Sequence, residues 1–209
     1  MTGEIADESA LNARHSGKMK KHKAARDKIM ATKTGDKGLL IVHTGAGKGK
    51  TSAALGMVFR HIAHEMPVGV VQFTKAPDWI TGEALLLRRF PDLVSLHIMG
   101  EGFTWETQDR ARDIAAARAA WEKAKELIRD DRHKMVLLDE LNIVLRYDYL
   151  PIDEIVDFLK TEKSADKHVV ITGRNAKPEL IEIADLVTEM TLIKHPFRSG
   201  VKAQKGVEY

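Results

Sequence analysis

Gly45, Gly47 and Gly49 alternate with Ala46 and Lys48 and run directly into Lys50 and Thr51. Residues of these types at this spacing suit the holding of a row of phosphates. Lacking Cβ atoms, the three glycines let the backbone curl until several N–H groups converge on phosphate oxygens. Lys50 supplies a mobile cation for the outer phosphates, and the Thr51 hydroxyl can ligate Mg²⁺. A second constellation is Asp139-Glu140, two carboxylates ending the apolar run Met135-Val-Leu-Leu. Mg²⁺ takes oxygen ligands and keeps several waters, so one or two carboxylates with Thr51 and phosphates are sufficient. A surface Gly/Lys turn and an acidic helix cap are the plain readings of each segment alone. Together the two segments point to ATP with Mg²⁺.

The elements that must position these residues are legible around them. Gly38-Leu-Leu-Ile-Val-His-Thr44 reads as a strand emptying into the loop, and the helix expected near Lys50 would add the positive end of its dipole. Thr44 stands where the usual phosphate-loop pattern opens with Gly. Apolar runs predict strands at Leu39–Val42, Val68–Phe73, Leu93–Ile98, Met135–Leu138, Val169–Ile171 and Leu186–Ile193. Between the first two, Leu55, Val58, Phe59 and Ile62 fall at helical spacing. After Trp105, the steps Ile114, Ala117, Trp121, Ala124 and Ile128 predict a longer helix. Pro151 sits where a first helical turn would start, ahead of Ile155, Val156 and Leu159. Strands alternating with helices imply βαβ crossovers and an α/β fold, a mainly parallel six-stranded sheet covered on both faces. In such a sheet the carboxyl ends of the strands share one rim, which brings Asp139 or Glu140 near Thr51.

Composition bounds the rest. The chain has 209 residues, 44% hydrophobic, and no Cys, which excludes disulfides, thiolate nucleophiles, Cys-ligated zinc and protein-bound iron–sulfur clusters. No apolar run has the length of a membrane span and no signal-peptide core is present, so the expected compartment is the cytoplasm. A net charge of +3 is too small to argue for nucleic acid, but nine Lys/Arg lie between Arg14 and Lys37. Residues 1–37 therefore read as a basic N-terminal arm, either solvated or ordering over an anionic or polar ligand, ahead of a nucleotide-binding domain at 38–209. Its apolar seam of Met19, Ala24, Ala25, Ile29 and Met30 is thin, which predicts a poor independent helix.

A phosphate loop does not reveal which atom is attacked. Attack at the γ-phosphorus makes a kinase or ATPase. Attack at the ribose C5′ makes an adenosyltransferase with triphosphate as leaving group. Further segments bear on the choice. They are Gly45-Ala-Gly-Lys-Gly-Lys-Thr-Ser52, Val70-Val-Gln-Phe-Thr-Lys75, Gly102-Phe-Thr-Trp-Glu-Thr107, Val136-Leu-Leu-Asp-Glu-Leu141, Tyr147-Asp-Tyr-Leu-Pro151, Ile171-Thr-Gly-Arg174, Lys194-His-Pro-Phe and Gly200-Val-Lys-Ala-Gln204. This ordered set resembles the P-loop corrinoid adenosyltransferases, which act on cob(I)alamin or cob(I)yrinic acid a,c-diamide. Ala46 replaces an Asn usual in that family.

The resemblance implies a P-loop NTPase (RecA-like) fold and transfer of the 5′-deoxyadenosyl group of ATP to a Co(I) corrinoid. It implies a triphosphate held by Gly45 to Thr51, and Mg²⁺ served by Thr51 and Glu140, with Asp139 beside them. Phe103 and Trp105 match aromatics that pack on the lower corrin face and displace its axial ligand, which makes Co(II) easier to reduce. Core packing is the plain reading of both. The arm from Arg14 to Lys28 matches a segment that folds over the corrinoid. An external electron donor, such as a reduced flavoprotein, and a homodimer follow by analogy. Lys75 and Arg174, after probable strand ends, can meet phosphate or serve in ordinary ion pairs. His61 and His64 lie three apart with no third ligand beside them, which favours surface or capping roles, and the resemblance places His195 near the nucleotide. The competing scheme is a P-loop ATPase or kinase whose basic arm binds nucleic acid; no arginine finger or sensor pair is evident for it.

Overall fold

The computed structural model describes residues 2–102 and 109–208, the side chains of 2–7 excepted. The chain divides into two compact units, Met1–Asp36 and Lys37–Tyr209. The first is a single helix, α1, Thr2–Ala31. Its apolar seam is as thin as the sequence suggests, with Met19, Ile29 and Met30 all exposed. It is helical nonetheless, because Lys, Ala, Arg and Met are strong helix formers and no proline interrupts them. Thr32 closes it, its Oγ1 donating to the Ile29 carbonyl at 2.7 Å.

The second unit is built on a six-stranded sheet in the order β3-β2-β4-β5-β1-β6. The strands are β1 Leu40–Thr44, β2 Val68–Gln72, β3 Val94–Ile98, β4 Met135–Asp139, β5 His168–Thr172 and β6 Leu186–Glu189. Every pairing is parallel. The helices are α2 Lys50–Ala63, α3 Gly82–Leu87, α4 Arg110–Arg129, α5 Leu141–Arg146, α6 Ile152–Thr161 and α7 Pro178–Ile183. One face of the sheet carries a core of Leu40, Val42, Val136 and Leu138 with Trp121, Leu141 and Ile155. The opposite face sets Ile41, Val70 and Leu137 against Ala54, Leu55 and Val58 of α2. Alternate residues of one strand thus feed two cores, as the side-chain period of two requires. The sheet interior is apolar on both faces, which is why the central strands read as unbroken apolar runs.

Three expectations shift. Phe59 is 39% exposed, since it lies at the edge of the α2 face on which Ala54, Leu55 and Val58 are buried and Met57 and Ile62 are packed. Pro151 caps the helix that begins at Ile152, one residue later than the sequence suggests. Strand β6 stops at Glu189, because the Met190 carbonyl accepts from the Gly47 amide at 2.6 Å and the chain turns onto the loop. Among the described residues no helix is long and apolar enough to cross a membrane.

Candidate active site

The phosphate loop follows β1 and ends at α2. Gly45 and Gly49 have φ of 96° and 103°, a region that glycine alone enters cheaply. Thr44 has no such need. It completes the strand, and its Oγ1 accepts from the Ala176 amide at 3.0 Å, fastening the loop to the chain after β5. This explains how a threonine serves where glycine is usual. Ala46 and Lys48 face outward, and Lys48 pairs with Glu208. The first turn of α2 leaves N–H groups without carbonyl partners inside the helix, at the positive end of its dipole.

Lys50 is 6% exposed and folds back over the loop, donating to the carbonyls of Gly45 at 3.0 Å and Gly47 at 2.5 Å. Burial pushes its ammonium below the ordinary lysine range; Glu140 opposes that, while Arg174 and Lys48 add to it. The cation is therefore held by two carbonyl dipoles in a place where it costs free energy to keep charged. An incoming anion would relieve both conditions.

Thr51, at the start of α2, donates to Asp139 Oδ1 at 2.8 Å. The same oxygen accepts from Thr172 Oγ1 at 2.8 Å, and Oδ2 accepts from Gln72 Nε2 at 3.0 Å. Lys75 Nζ lies 3.3 Å from Oδ2 and 2.7 Å from Glu83 Oε1. With these partners the roughly four acceptor positions of the Asp139 carboxylate are filled. Burial works against the Lys75 charge, yet Asp139 and Glu83 outweigh it and hold the ammonium above its usual range. Of the two roles open to Lys75, the ion pair is the one the structure contains.

Glu140 is arranged differently. It is a non-glycine residue at φ 65°, capping α5, with its amide donating to Thr172 Oγ1 at 2.9 Å. Burial and the neighbouring Asp139 push its carboxyl above the usual range, against the pull of Lys50, Lys75 and Arg174. Thr51 has given its proton to Asp139, which leaves its oxygen lone pairs for a cation, and the ionised form of Glu140 is disfavoured by burial, a condition a bound cation would relieve. An all-oxygen set of this kind fits Mg²⁺.

Residues 36–209 match the family model described as ATP:corrinoid adenosyltransferase BtuR/CobO/CobP. The chain belongs to this family. Among its relatives, a corrinoid adenosyltransferase of Sinorhizobium is 66% identical over 95% of this chain and 92% of its own length. The corresponding proteins of Pseudomonas aeruginosa and Escherichia coli are 53% and 43% identical, each over 94% of this chain and covering 96% and 98% of their own lengths.

For a member of the corrinoid adenosyltransferase family, the distribution of the sequence-selected residues is informative. Gly45 to Thr51, Asp139 and Glu140 come together, and Arg174 lies close enough to act on the charges of Lys50 and Glu140. Phe103 and Trp105 lie outside the described residues. His195 accepts from the Phe197 amide at 3.1 Å, while His61 contacts the Met57 carbonyl at 2.9 Å and meets the His168 ring edge-on at 5.8 Å between centroids. Among the described residues no cluster of three or more His, Cys, Asp or Glu side chains is placed for a metal. Sequence reasoning gave no role to Gln72, Thr172 or Glu83, although the first two lie in segments that carry the resemblance. Gln72 and Thr172 had a signal, since each is a polar residue directly after an apolar run at a strand's carboxyl end, as Asp139 is.

Proposed function

We propose that this chain transfers the 5′-deoxyadenosyl group of ATP to the cobalt of a Co(I) corrinoid, in the formation or salvage of the adenosylated cofactor. The family match across 36–209 carries the reading, because the phosphate loop by itself suits a kinase equally well. In the reaction a Co–C bond forms at the ribose C5′ as the C5′–O bond breaks, and triphosphate departs with the electron pair. The reduced corrinoid is the nucleophile, which accords with a chain that has no Cys. The protein's share is binding, orientation and charge stabilisation.

Lys50 would leave the Gly45 and Gly47 carbonyls for the outer phosphate oxygens, where charge accumulates as triphosphate leaves. The α2 N-terminus and Arg174 would act on the same charge. Thr51 and Glu140 would hold Mg²⁺, with Asp139 fixing Thr51; Mg²⁺ when bound supplies neutralisation of the triphosphate. Phe103 and Trp105 are proposed to face the lower side of the corrin, and the lysines of α1 to meet its polar substituents. An external reductant, a homodimer and residence in the cytoplasm complete the proposal.

The test is anaerobic incubation with ATP, Mg²⁺ and chemically reduced corrinoid in the dark, following corrinoid absorbance and the phosphate product. Triphosphate is expected, and ADP or orthophosphate in its place would refute the reading. Trp105→Ala should hurt most when the assay starts from a Co(II) corrinoid and little when Co(I) is supplied. Equal losses from both starting states would remove the ligand-displacement role. A nucleic-acid-dependent ATPase, in contrast, would bind nucleic acid with an affinity that falls steeply with salt.

A further inference from the structure

Strand β5 lies between β1, which leads to the phosphate loop, and β4, which ends in the two carboxylates. Its last residue, Thr172, is fully buried. A threonine hydroxyl has one proton and two lone pairs. Here the proton goes to Asp139 Oδ1 at 2.8 Å, and a lone pair takes the Glu140 amide at 2.9 Å. One oxygen therefore sets the side chain of one carboxylate residue and the backbone of the next. The need for the second bond is plain, because Glu140 sits at φ 65°, a conformation that a non-glycine residue holds only when its surroundings impose it. Gly173, directly after Thr172, continues the device. A Cβ added there would lie 3.0 Å from Glu140 Oε2 and 2.8 Å from Asn142 Cβ. The strand end thus fixes Glu140 with a hydroxyl and makes room for its carboxylate by having no side chain.

Resting on the reading of Thr51 and Glu140 as cation-holding residues, we propose that Thr172 is the positioning residue of this site, orienting Asp139 and Glu140 as one unit while touching neither cation nor nucleotide. The alternative is a buried threonine that merely fills space. The two differ in what matters, the hydroxyl or the volume. Valine preserves the volume and removes both hydrogen bonds, whereas serine keeps both bonds and loses a methyl. Outer residues that orient metal ligands are generally worth about 10–100-fold in metal affinity.

The experiment measures Mn²⁺ binding by electron paramagnetic resonance in the presence of ATP, on the full chain, with melting temperature as a check of folding. Thr172→Val should weaken Mn²⁺ binding about 10–100-fold, and Thr172→Ser should stay near the parent. Valine equal to the parent, or serine as weak as valine, overturns the proposal. If Thr172→Val does not fold, Thr172→Ala takes its place against serine under the same criteria. Because the readout is metal binding, a parent protein that binds Mn²⁺ with ATP but transfers no adenosyl group would sink the proposed reaction and leave this inference standing. A parent that binds no Mn²⁺ with ATP sinks both.

Discussion

Thr51 and Asp139 are 88 positions apart in sequence, and the hydroxyl of one donates to Oδ1 of the other at 2.8 Å. That single contact joins the phosphate loop to the carboxylate strand across the intervening β5. It also fixes the direction of the Thr51 oxygen, whose lone pairs are turned away from Asp139.

Asp139 receives Thr51, Thr172, Gln72 and Lys75, so it should behave as a structural anchor as well as a site residue. In Asp139→Asn, an NH₂ group would face donors where an oxygen now accepts. Lys75 would keep only Glu83 as a carboxylate partner. Loss of a charge-assisted hydrogen bond costs about 1.5–3 kcal/mol. For a domain of this size about 1 kcal/mol shifts the midpoint by roughly 2–4 °C. Thermal melts should therefore show a drop of several degrees, and transfer assays a loss exceeding that of a change at the surface.

Lys50 leads to the opposite expectation for stability. In the nucleotide-free protein it is buried, with its charge disfavoured by burial. Lys50→Met keeps most of the apolar stem and removes the charge. The variant should melt at or slightly above the parent temperature while transfer falls by about 100-fold or more, the scale on which a single transition-state charge contact acts. A marked loss of stability would mean that the bonds to the Gly45 and Gly47 carbonyls hold the loop together, contrary to the argument from desolvation.

How much of this was legible in the sequence depends on whether an interaction is local. The phosphate loop, the β1–α2 junction and the alternating strands declare themselves through glycine spacing and apolar runs within a few residues. The continuous helix α1 did not, because a thin apolar seam argued against it while the propensity of Lys, Ala and Arg decided in its favour. The clamp on Asp139 draws Gln72 from β2, Thr172 from β5 and Lys75 from the loop after β2. No window of sequence contains that set; only the strand order brings it to one rim. The early end of β6 was hidden for a similar reason. Met190 is apolar and extends the run, but its carbonyl is taken by Gly47 from the far end of the chain.

Glu140 predicts a dependence on pH. Its carboxyl is raised first by burial and then by Asp139, so the fold prefers the protonated form. The destabilising effect of the ionised form is absent below the ordinary carboxylate range. It grows as pH rises from that range to the raised value and is complete above it. Glu140→Gln should therefore raise the melting temperature of the nucleotide-free protein near neutral pH, and the difference should vanish in acid. The same substitution should weaken Mg²⁺-dependent ATP binding. Melts of parent and variant at pH 4 and pH 8 check the first part; a gain that persists in acid would mean the carboxyl's ionisation is not its cause.

Gly47 and Gly49 are both small for the sake of the loop, yet for separable reasons. Gly49 has φ 103°, and a Cβ there would meet only Met190 Sδ at 3.6 Å. Its substitution is a matter of backbone strain, on the order of 1–3 kcal/mol. Gly47 has no positive φ, but its Cβ would come within 2.5 Å of the Thr191 carbonyl oxygen and 2.7 Å of that of Met190. These are backbone atoms and cannot swing aside as a side chain would. Gly47→Ala must push the loop away from the strand end and break the bond from its amide to Met190. Hydrogen exchange should reveal the difference: Gly47→Ala should expose the Met190 amide, which donates to the Thr44 carbonyl, and Gly49→Ala should leave it protected while still weakening ATP binding. If both variants perturb the Met190 segment alike, contact with that segment and backbone conformation are not independent requirements of the loop.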